Sequence, residues 1–163
     1  MQTQTSPYEG LQYRYNPAAH ERTPSFEFIP MRALLLEDSI ESRHTYENLF
    51  KEIGFEELEV AESFSEAFRC IEIQHEPFDL IVVDQSFWGD DQLSLKLCQL
   101  IRSNDDYART AIVMLSHQCD SETIEAAFRA GVDEFVPKYT HPLELKRVAW
   151  RAVLDRRHFP RVR

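Results

Sequence analysis

The strongest constraint on the fold is a regular alternation of short apolar runs with amphipathic segments after Pro30. Each of the five runs is nearly continuous in apolar residues, and each is followed by a segment whose apolar residues recur at helical spacing. Continuous hydrophobicity indicates strands covered on both faces, which is typical of a parallel sheet. The predicted strands comprise residues 32–37, 58–62, 79–84, 111–116 and 133–138.

Local signals place a helix after each strand, so right-handed crossovers predict an α/β fold with a doubly wound, five-stranded parallel sheet and helices on both faces. Gly54 is predicted to end the first helix, and Ser63 or Ser65 to cap the second. Pro142 suits the first turn of the last helix. The apolar residues predicted to share one face of the first helix are Ile40, Tyr46, Leu49, Phe50 and Ile53.

The 163 residues fit one globular domain with a short extension. Residues 1–30 are rich in Gln, Thr, Ser, Pro and Tyr and lack periodicity, which predicts a partly flexible N-terminal arm. Its aromatic residues support a second interpretation with equal weight, in which the arm docks on its own domain or on a partner. Residues 31–157 are predicted to form the domain, and residues 158–163 a basic C-terminal tail.

Charge and cysteine content limit the partners and the compartment. Acidic residues outnumber basic ones by 28 to 18, and the excess lies within residues 31–154, so most of the surface should repel nucleic acid. No apolar stretch approaches the roughly 20 residues of a membrane span, and we expect no signal peptide. Three unpaired cysteines (Cys70, Cys98 and Cys119) favour a reducing cytoplasm.

Polar side chains stand where the predicted strands end. Glu37 and Asp38 follow the first strand, Asp84 ends the third, Ser116 the fourth and Lys138 the fifth. The carboxyl ends of parallel strands meet at one edge of a sheet, so these groups should converge. Clustered carboxylates need a cation, and oxygen ligands favour Mg²⁺. Each residue alone is more simply a loop acid, a cap or a surface charge, but five together favour a functional site.

The same groups suit phosphoryl transfer to a carboxylate. A carboxylate can attack phosphorus and form an aspartyl phosphate. Mg²⁺ and a lysine would neutralise the oxygens of the transferred group, and a hydroxyl would donate a hydrogen bond to it.

These motifs resemble those of the response-regulator receiver domain of two-component signalling. The resemblance covers residues 31–157 and implies a flavodoxin-like fold with strand order 2-1-3-4-5. The segments that carry it are LLLED at 34–38, LIVVD at 80–84, IVMLS at 112–116 and AGVDEFVPK at 130–138.

The resemblance implies roles for the strand-end residues. Asp84 would accept the phosphoryl group, while Asp38 and, through water, Glu37 would bind Mg²⁺. The backbone carbonyl of Ser86 would complete the protein ligands. The chemistry would be limited to self-phosphorylation from a donor and autodephosphorylation, so the chain is predicted not to be an enzyme in the usual sense.

The resemblance also implies a switch. Ser116 would bond the incoming phosphoryl group, and Lys138 would pair with it. Phe135 would be the aromatic residue that swings inward when Ser116 moves.

Several positions depart from the family pattern. The loop after Asp84 reads QSFWGDD, in which Trp88 is either core or a contact surface. Tyr139 replaces the proline that usually follows the lysine, so this loop could take a different path. His117 replaces a small residue, and we predict that His117 and Gln118 modulate access to the site. An equal alternative is that His117 points to solvent.

The favoured function is a single-domain response regulator phosphorylated by a histidine kinase or a histidine phosphotransfer protein. It would then contact an unknown protein target or a second copy through the fourth helix, fifth strand and last helix. The residues expected on that surface are Glu122, Glu125, Arg129, Asp133, Glu134, Lys146, Arg147 and Trp150.

Two alternatives remain open: a non-phosphorylated adaptor that keeps the fold, and a receiver fragment of a larger regulator or hybrid kinase. A Mg²⁺-dependent phosphatase is disfavoured because the DxD nucleophile motif is missing at Asp84-Gln85-Ser86. A flavin protein is disfavoured because no phosphate-binding loop follows the first strand.

Overall fold

The computed structural model describes residues 13–14, 27–28, 31–73 and 76–160. The chain divides into two compact units, residues 1–30 and residues 31–163. In the first unit, Tyr13–Arg14 pairs antiparallel with Glu27–Phe28. The rest of the predicted arm, and residues 161–163 of the predicted basic tail, lie outside the described residues.

The second unit contains a five-stranded sheet in which every pair of neighbouring strands is parallel. The spatial order is β2-β1-β3-β4-β5, which confirms the predicted order. The strands are β1 (Arg32–Leu36), β2 (Glu57–Ala61), β3 (Leu80–Asp84), β4 (Ala111–Ser116) and β5 (Glu134–Pro137).

A helix follows each strand, and its ends match the local signals in the sequence. Gly54 ends the first helix with a left-handed φ of 111°, and the Ser63 hydroxyl accepts a hydrogen bond from the Glu66 amide at the start of the second. Among the described residues, every helix is too short or too polar to cross a lipid bilayer. The helices are α1 (Ile40–Ile53), α2 (Phe64–Ile73), α3 (Asp91–Ser103), α4 (Ser121–Arg129) and α5 (Pro142–His158).

Helices cover both faces of the sheet, as predicted. Alternate strand residues such as Leu36, Val83 and Met114 pack with apolar residues of α2, α3 and α4 in one cluster. On the opposite face α1 and α5 contact the strands, and there the Phe55 and Trp150 rings stack with centroids 5.4 Å apart. Since helices cover both faces, side chains of the sheet reach solvent mainly where the strands end.

Three expectations about exposure are wrong. Ile40, expected on the buried face of α1, is 60% exposed because it is the first helical residue and lies before the helix reaches the sheet. Trp150, expected on the contact surface, is only 2% exposed because α5 turns it onto Phe55. Asp133, also expected there, is mostly buried and forms ion pairs with Arg102 and Arg156.

Candidate functional site

Strand register brings the predicted site residues to one edge of the sheet. Asp84, the last residue of β3, pairs with Leu115 of β4, and Ser116 pairs with Pro137 of β5. Lys138 follows directly, and its backbone amide donates to the Ser116 carbonyl at 2.8 Å. The three strands therefore end side by side, which places their final side chains around a common volume.

Lys138 bridges two buried carboxylates. Its Nζ lies 3.0 Å from Asp84 Oδ1 and 3.1 Å from Glu37 Oε2. The side chains of Lys138, Asp84 and Glu37 are only 8%, 6% and 1% exposed. Buried charges of this kind are tolerated only when they are paired and hydrogen-bonded. The ammonium is therefore the group that allows two carboxylates to lie together inside the protein.

Burial and neighbouring charges together shift pKa values in this cluster. Burial raises the pKa of the Glu37 carboxyl above its usual 4.5, and the nearby charge of Asp84 adds to the rise, although Lys138 and the Ser39 amide oppose it. Burial alone would lower the pKa of Lys138. The hydrogen bonds and charges of Asp84 and Glu37 outweigh that effect, so the pKa of Lys138 lies above 10.5 and the amine stays protonated.

Three carboxylates are close enough to share a cation. Glu37, Asp38 and Asp84 each offer an oxygen, and these oxygens lie within 4.8 Å of one another. Asp38 is exposed, so the cluster opens to solvent on its side. The Ser86 carbonyl accepts from the Gly89 amide at 2.7 Å, and its second lone pair is still available for a ligand bond. An all-oxygen donor set of this charge fits Mg²⁺.

The Ser116 hydroxyl is buried in a small hydrogen-bond network. Its Oγ accepts from the Gln118 backbone amide at 2.8 Å, and it also lies 2.8 Å from the Gln118 carbonyl. It donates to Oε1 of Gln85, the residue after Asp84. The Gln118 contacts come from its backbone, while its side chain is exposed.

The positions predicted to switch or gate the site lie at its margins. Phe135 pairs with Met114 across β4 and β5 and packs, partly buried, against the core cluster. The His117 side chain faces solvent, which agrees with one of the two alternatives. With Tyr46 and Lys138 it lines a depression of about 240 Å³. Whether His117 and Gln118 modulate access stays a prediction.

The two unusual aromatic residues beside the site are both exposed. Trp88 is 56% exposed, so it does not belong to the core. Its φ of 62° is rare for a bulky residue and belongs to a short 3₁₀ turn, Phe87–Gly89. Tyr139 is 77% exposed. The Lys138 ammonium reaches the carboxylates although Tyr139 stands where the family has proline.

Three contributors were not identified from the sequence. Gln85 binds Ser116, the Tyr46 hydroxyl donates to the Lys138 carbonyl at 3.4 Å, and the buried Ser94 hydroxyl donates to the Asp84 carbonyl at 3.1 Å. A signal existed for Ser94, because it shares the buried face of α3 with Leu97 and Ile101. The partners of Gln85 and Tyr46 are remote in sequence, so no local pattern indicates them.

Comparison with known proteins agrees with this architecture. A family model described as the response regulator receiver domain matches residues 33–149. Chemotaxis protein CheY1 of Helicobacter pylori is 24% identical over 117 residues, which are 71% of this chain and 91% of that protein.

Solved structures share the fold at low sequence identity. A response regulator from Thermotoga maritima superposes with a TM-score of 0.65 and 23% identity, over 77% of this chain and 99% of that chain. The receiver domain of a sensor histidine kinase from Pseudomonas aeruginosa gives a TM-score of 0.65 at 22% identity, over 77% and 98% of the two chains. That structure has a magnesium ion coordinated in its active-site cleft.

Proposed function

This chain belongs to the response regulator receiver domain family of two-component signalling, and we propose that Asp84 is the residue that accepts the phosphoryl group. The donor would be a histidine kinase or a histidine phosphotransfer protein. The observation that carries the proposal is the Lys138 ammonium, buried 3.0 Å from Asp84 Oδ1. It supplies positive charge where the transferred group would arrive.

The proposed transfer is a single in-line displacement. A carboxylate oxygen of Asp84 attacks phosphorus, the new P–O bond forms, and the P–N bond to the donor histidine breaks with its electrons returning to the imidazole. Lys138 neutralises charge on the phosphoryl oxygens, and the Ser116 hydroxyl donates a hydrogen bond to one of them. Attack of water on the phosphorus of this acyl phosphate then breaks the P–O bond to Asp84, which returns the carboxylate and releases inorganic phosphate.

A magnesium ion would be held by Asp38, Asp84, the Ser86 carbonyl and, through water, Glu37. When bound, it would neutralise charge on the transferred phosphoryl oxygens. The support is the shared reach of the three carboxylates and the fit of an all-oxygen site to a hard cation.

The proposed chemistry modifies only the protein itself. Apart from self-phosphorylation and autodephosphorylation the chain would act on no separate substrate, and its output would be contact with another protein in the cytoplasm. Within the chain, residues 31–157 would form the receiver, with residues 1–30 as an arm and 158–163 as a tail.

The output surface is proposed to lie on α4, β5 and α5, where it could bind a target or a second copy. Exposed apolar side chains support this, since Phe128 is 44% and Leu143 is 66% exposed. The same elements carry ion pairs at the surface, including Arg151 with Glu134 at 2.8 Å and Arg147 with Glu144 at 3.0 Å. Phe135 lies in β5, which is one of the three elements of this surface.

The acceptor assignment can be tested by labelling with acetyl phosphate in the presence of Mg²⁺. We expect Asp84→Asn to abolish incorporation, because an amide oxygen is a poor nucleophile towards phosphorus. Asp106→Asn is a matched control: this exposed acid precedes the amino-terminal end of β4 and should label like the wild type. Undiminished labelling of Asp84→Asn would overturn the assignment.

A further inference from the structure

We propose that Gln85 is a positioning residue that holds the Ser116 hydroxyl until phosphorylation and links its release to the start of α3. This inference rests on the proposed function of Asp84 and adds a residue to it. The residue after the acceptor is polar here and almost fully buried, with 5% exposure. A buried amide is expected only where its oxygen and nitrogen both have partners.

Gln85 has a partner at each end of its side chain. Oε1 accepts from the Ser116 hydroxyl, and Nε2 donates to Asp91 Oδ2 at 3.3 Å. Its backbone amide donates to the Leu115 carbonyl at 2.8 Å, which holds Gln85 beside β4. Asp91 is the first residue of α3. The side chain therefore connects the end of β4 with the beginning of a helix.

The direction of these bonds follows from their chemistry. An ionised carboxylate only accepts, so the Gln85 amide nitrogen must face Asp91 and the amide oxygen must face Ser116. The Gln118 backbone amide already donates to Ser116 Oγ. The single hydroxyl proton of Ser116 is thus shared between Gln85 Oε1 and the Gln118 carbonyl.

Phosphorylation would compete for that proton. A serine hydroxyl has one proton, so it cannot donate fully to a phosphoryl oxygen and to Gln85 together. When Ser116 turns to the phosphoryl group, a buried Oε1 loses its donor, which is unfavourable. Rotation of the amide by half a turn would restore the bond, with Nε2 donating to Ser116 Oγ. That rotation breaks the bond to Asp91, and in this way the state of Asp84 is passed to α3.

A double-mutant cycle with beryllofluoride and Mg²⁺ tests the link, because beryllofluoride stands in for the phosphoryl group. The dissociation constant is measured by intrinsic tryptophan fluorescence. We expect Gln85→Leu to tighten binding about three- to tenfold, the equivalent of one competing hydrogen bond. In a Ser116→Ala background the same substitution should have no effect, because no hydroxyl remains to be released.

A second pair of variants tests the connection to α3. The amide of Asp91→Asn can both donate and accept, so it can bond to either the oxygen or the nitrogen of the Gln85 amide. The rotation of Gln85 then costs less, and the substitution should also tighten beryllofluoride binding. Asp90→Asn is the matched control, since it removes the same charge one residue away. Asn caps helices as well as Asp does, and Asp90 caps α3.

Equal tightening by Gln85→Leu with and without Ser116 would show a merely structural effect and overturn the proposal, as would no tightening at all. The ligand-free protein gives an independent readout by NMR. The Gln85 side-chain amide protons should exchange slowly, and faster in Asp91→Asn. If the Gln85 side-chain amide protons of the wild type exchange as fast as those of a free glutamine, the proposal is also overturned. Failure of every variant and the wild type to bind beryllofluoride would instead count against the proposed function.

Discussion

At the scale of single residues, the site depends on one ammonium placed between two carboxylates. Lys138 contacts Asp84 and Glu37 at about equal distances, so neither carboxylate is left uncompensated in a poorly solvated position. The raised pKa of Glu37 shows that the compensation is incomplete, because burial and Asp84 together outweigh Lys138 there. Such a site is ready to take up further positive charge, which is what binding of a divalent cation would provide.

Lys138→Met should destabilise the protein by about 3 kcal/mol at neutral pH, since removing one partner of a buried ion pair leaves uncompensated charge. Urea denaturation measures this, with Lys96→Met on the exposed face of α3 as the control. The pKa of Lys138 is raised above 10.5, so its contribution is fully present below pH 10.5 and is lost as pH rises through the folded value. The difference in the free energy of unfolding between wild type and Lys138→Met should therefore shrink as pH rises through that value. A loss no larger than that of Lys96→Met would contradict the pairing.

At the scale of secondary-structure elements, the turns that join helices to strands set where the strand ends lie. The α4–β5 turn is a clear case. Gly131 has a φ of 98°, and its amide bonds to the Phe128 carbonyl while the Val132 amide bonds to the Ala127 carbonyl. This pair of bonds is a Schellman motif, in which a left-handed residue closes the helix. The Gly131 carbonyl then accepts from Arg102 of α3 at 2.8 Å.

Gly131→Ala should destabilise the fold by about 3 kcal/mol or more, because two penalties add. A left-handed alanine costs roughly 1–2 kcal/mol, and its Cβ would lie only 2.3 Å from Arg102 Cγ. Gly89→Ala separates the two effects. Gly89 has a φ of 69°, but no described heavy atom would lie within 4 Å of an added Cβ. Denaturation midpoints should fall much further for Gly131→Ala, and equal losses would refute the steric part.

At the scale of the whole molecule, the parallel sheet gathers the candidate site of the receiver at one edge. Strands β1, β3, β4 and β5 end there, and the candidate site residues lie at those ends or directly after them. Helices occupy both faces. The charge of the chain is -10, and the carboxylate cluster adds a local concentration of negative charge at the working edge. Cation binding should therefore stabilise the folded molecule, since the unfolded chain does not keep these oxygens together.

Mg²⁺ at ten times its dissociation constant should add about 1.4 kcal/mol to the free energy of unfolding, and a chelator should remove the gain. Thermal or urea unfolding across a Mg²⁺ titration measures the effect. Asp84→Asn, which loses one carboxylate of the cluster, should show most of the gain abolished. A wild type that is insensitive to Mg²⁺, or a variant that responds as strongly, would argue against a shared cation site.

Much of this organisation could be predicted from the sequence, because its signals are local. Continuous apolar runs, helical periodicity, Gly54 and Pro142 identify the elements and their ends. Strand ends then nominate Glu37, Asp38, Asp84, Ser116 and Lys138, since parallel topology sends equivalent ends to one edge. The family motifs supply the strand order, which periodicity alone does not give.

Contacts between remote side chains were decided only by the tertiary structure. Whether Lys138 reaches Glu37, 101 positions earlier, depends on the strand register and the loop path. One partner of Gln85 lies 31 positions away, and Trp150 is buried where α5 packs it onto Phe55. Backbone preferences act over a few residues, whereas these contacts arise where separate elements pack together. The sequence thus determined the elements and the chemistry at their ends, and packing decided which of those groups touch.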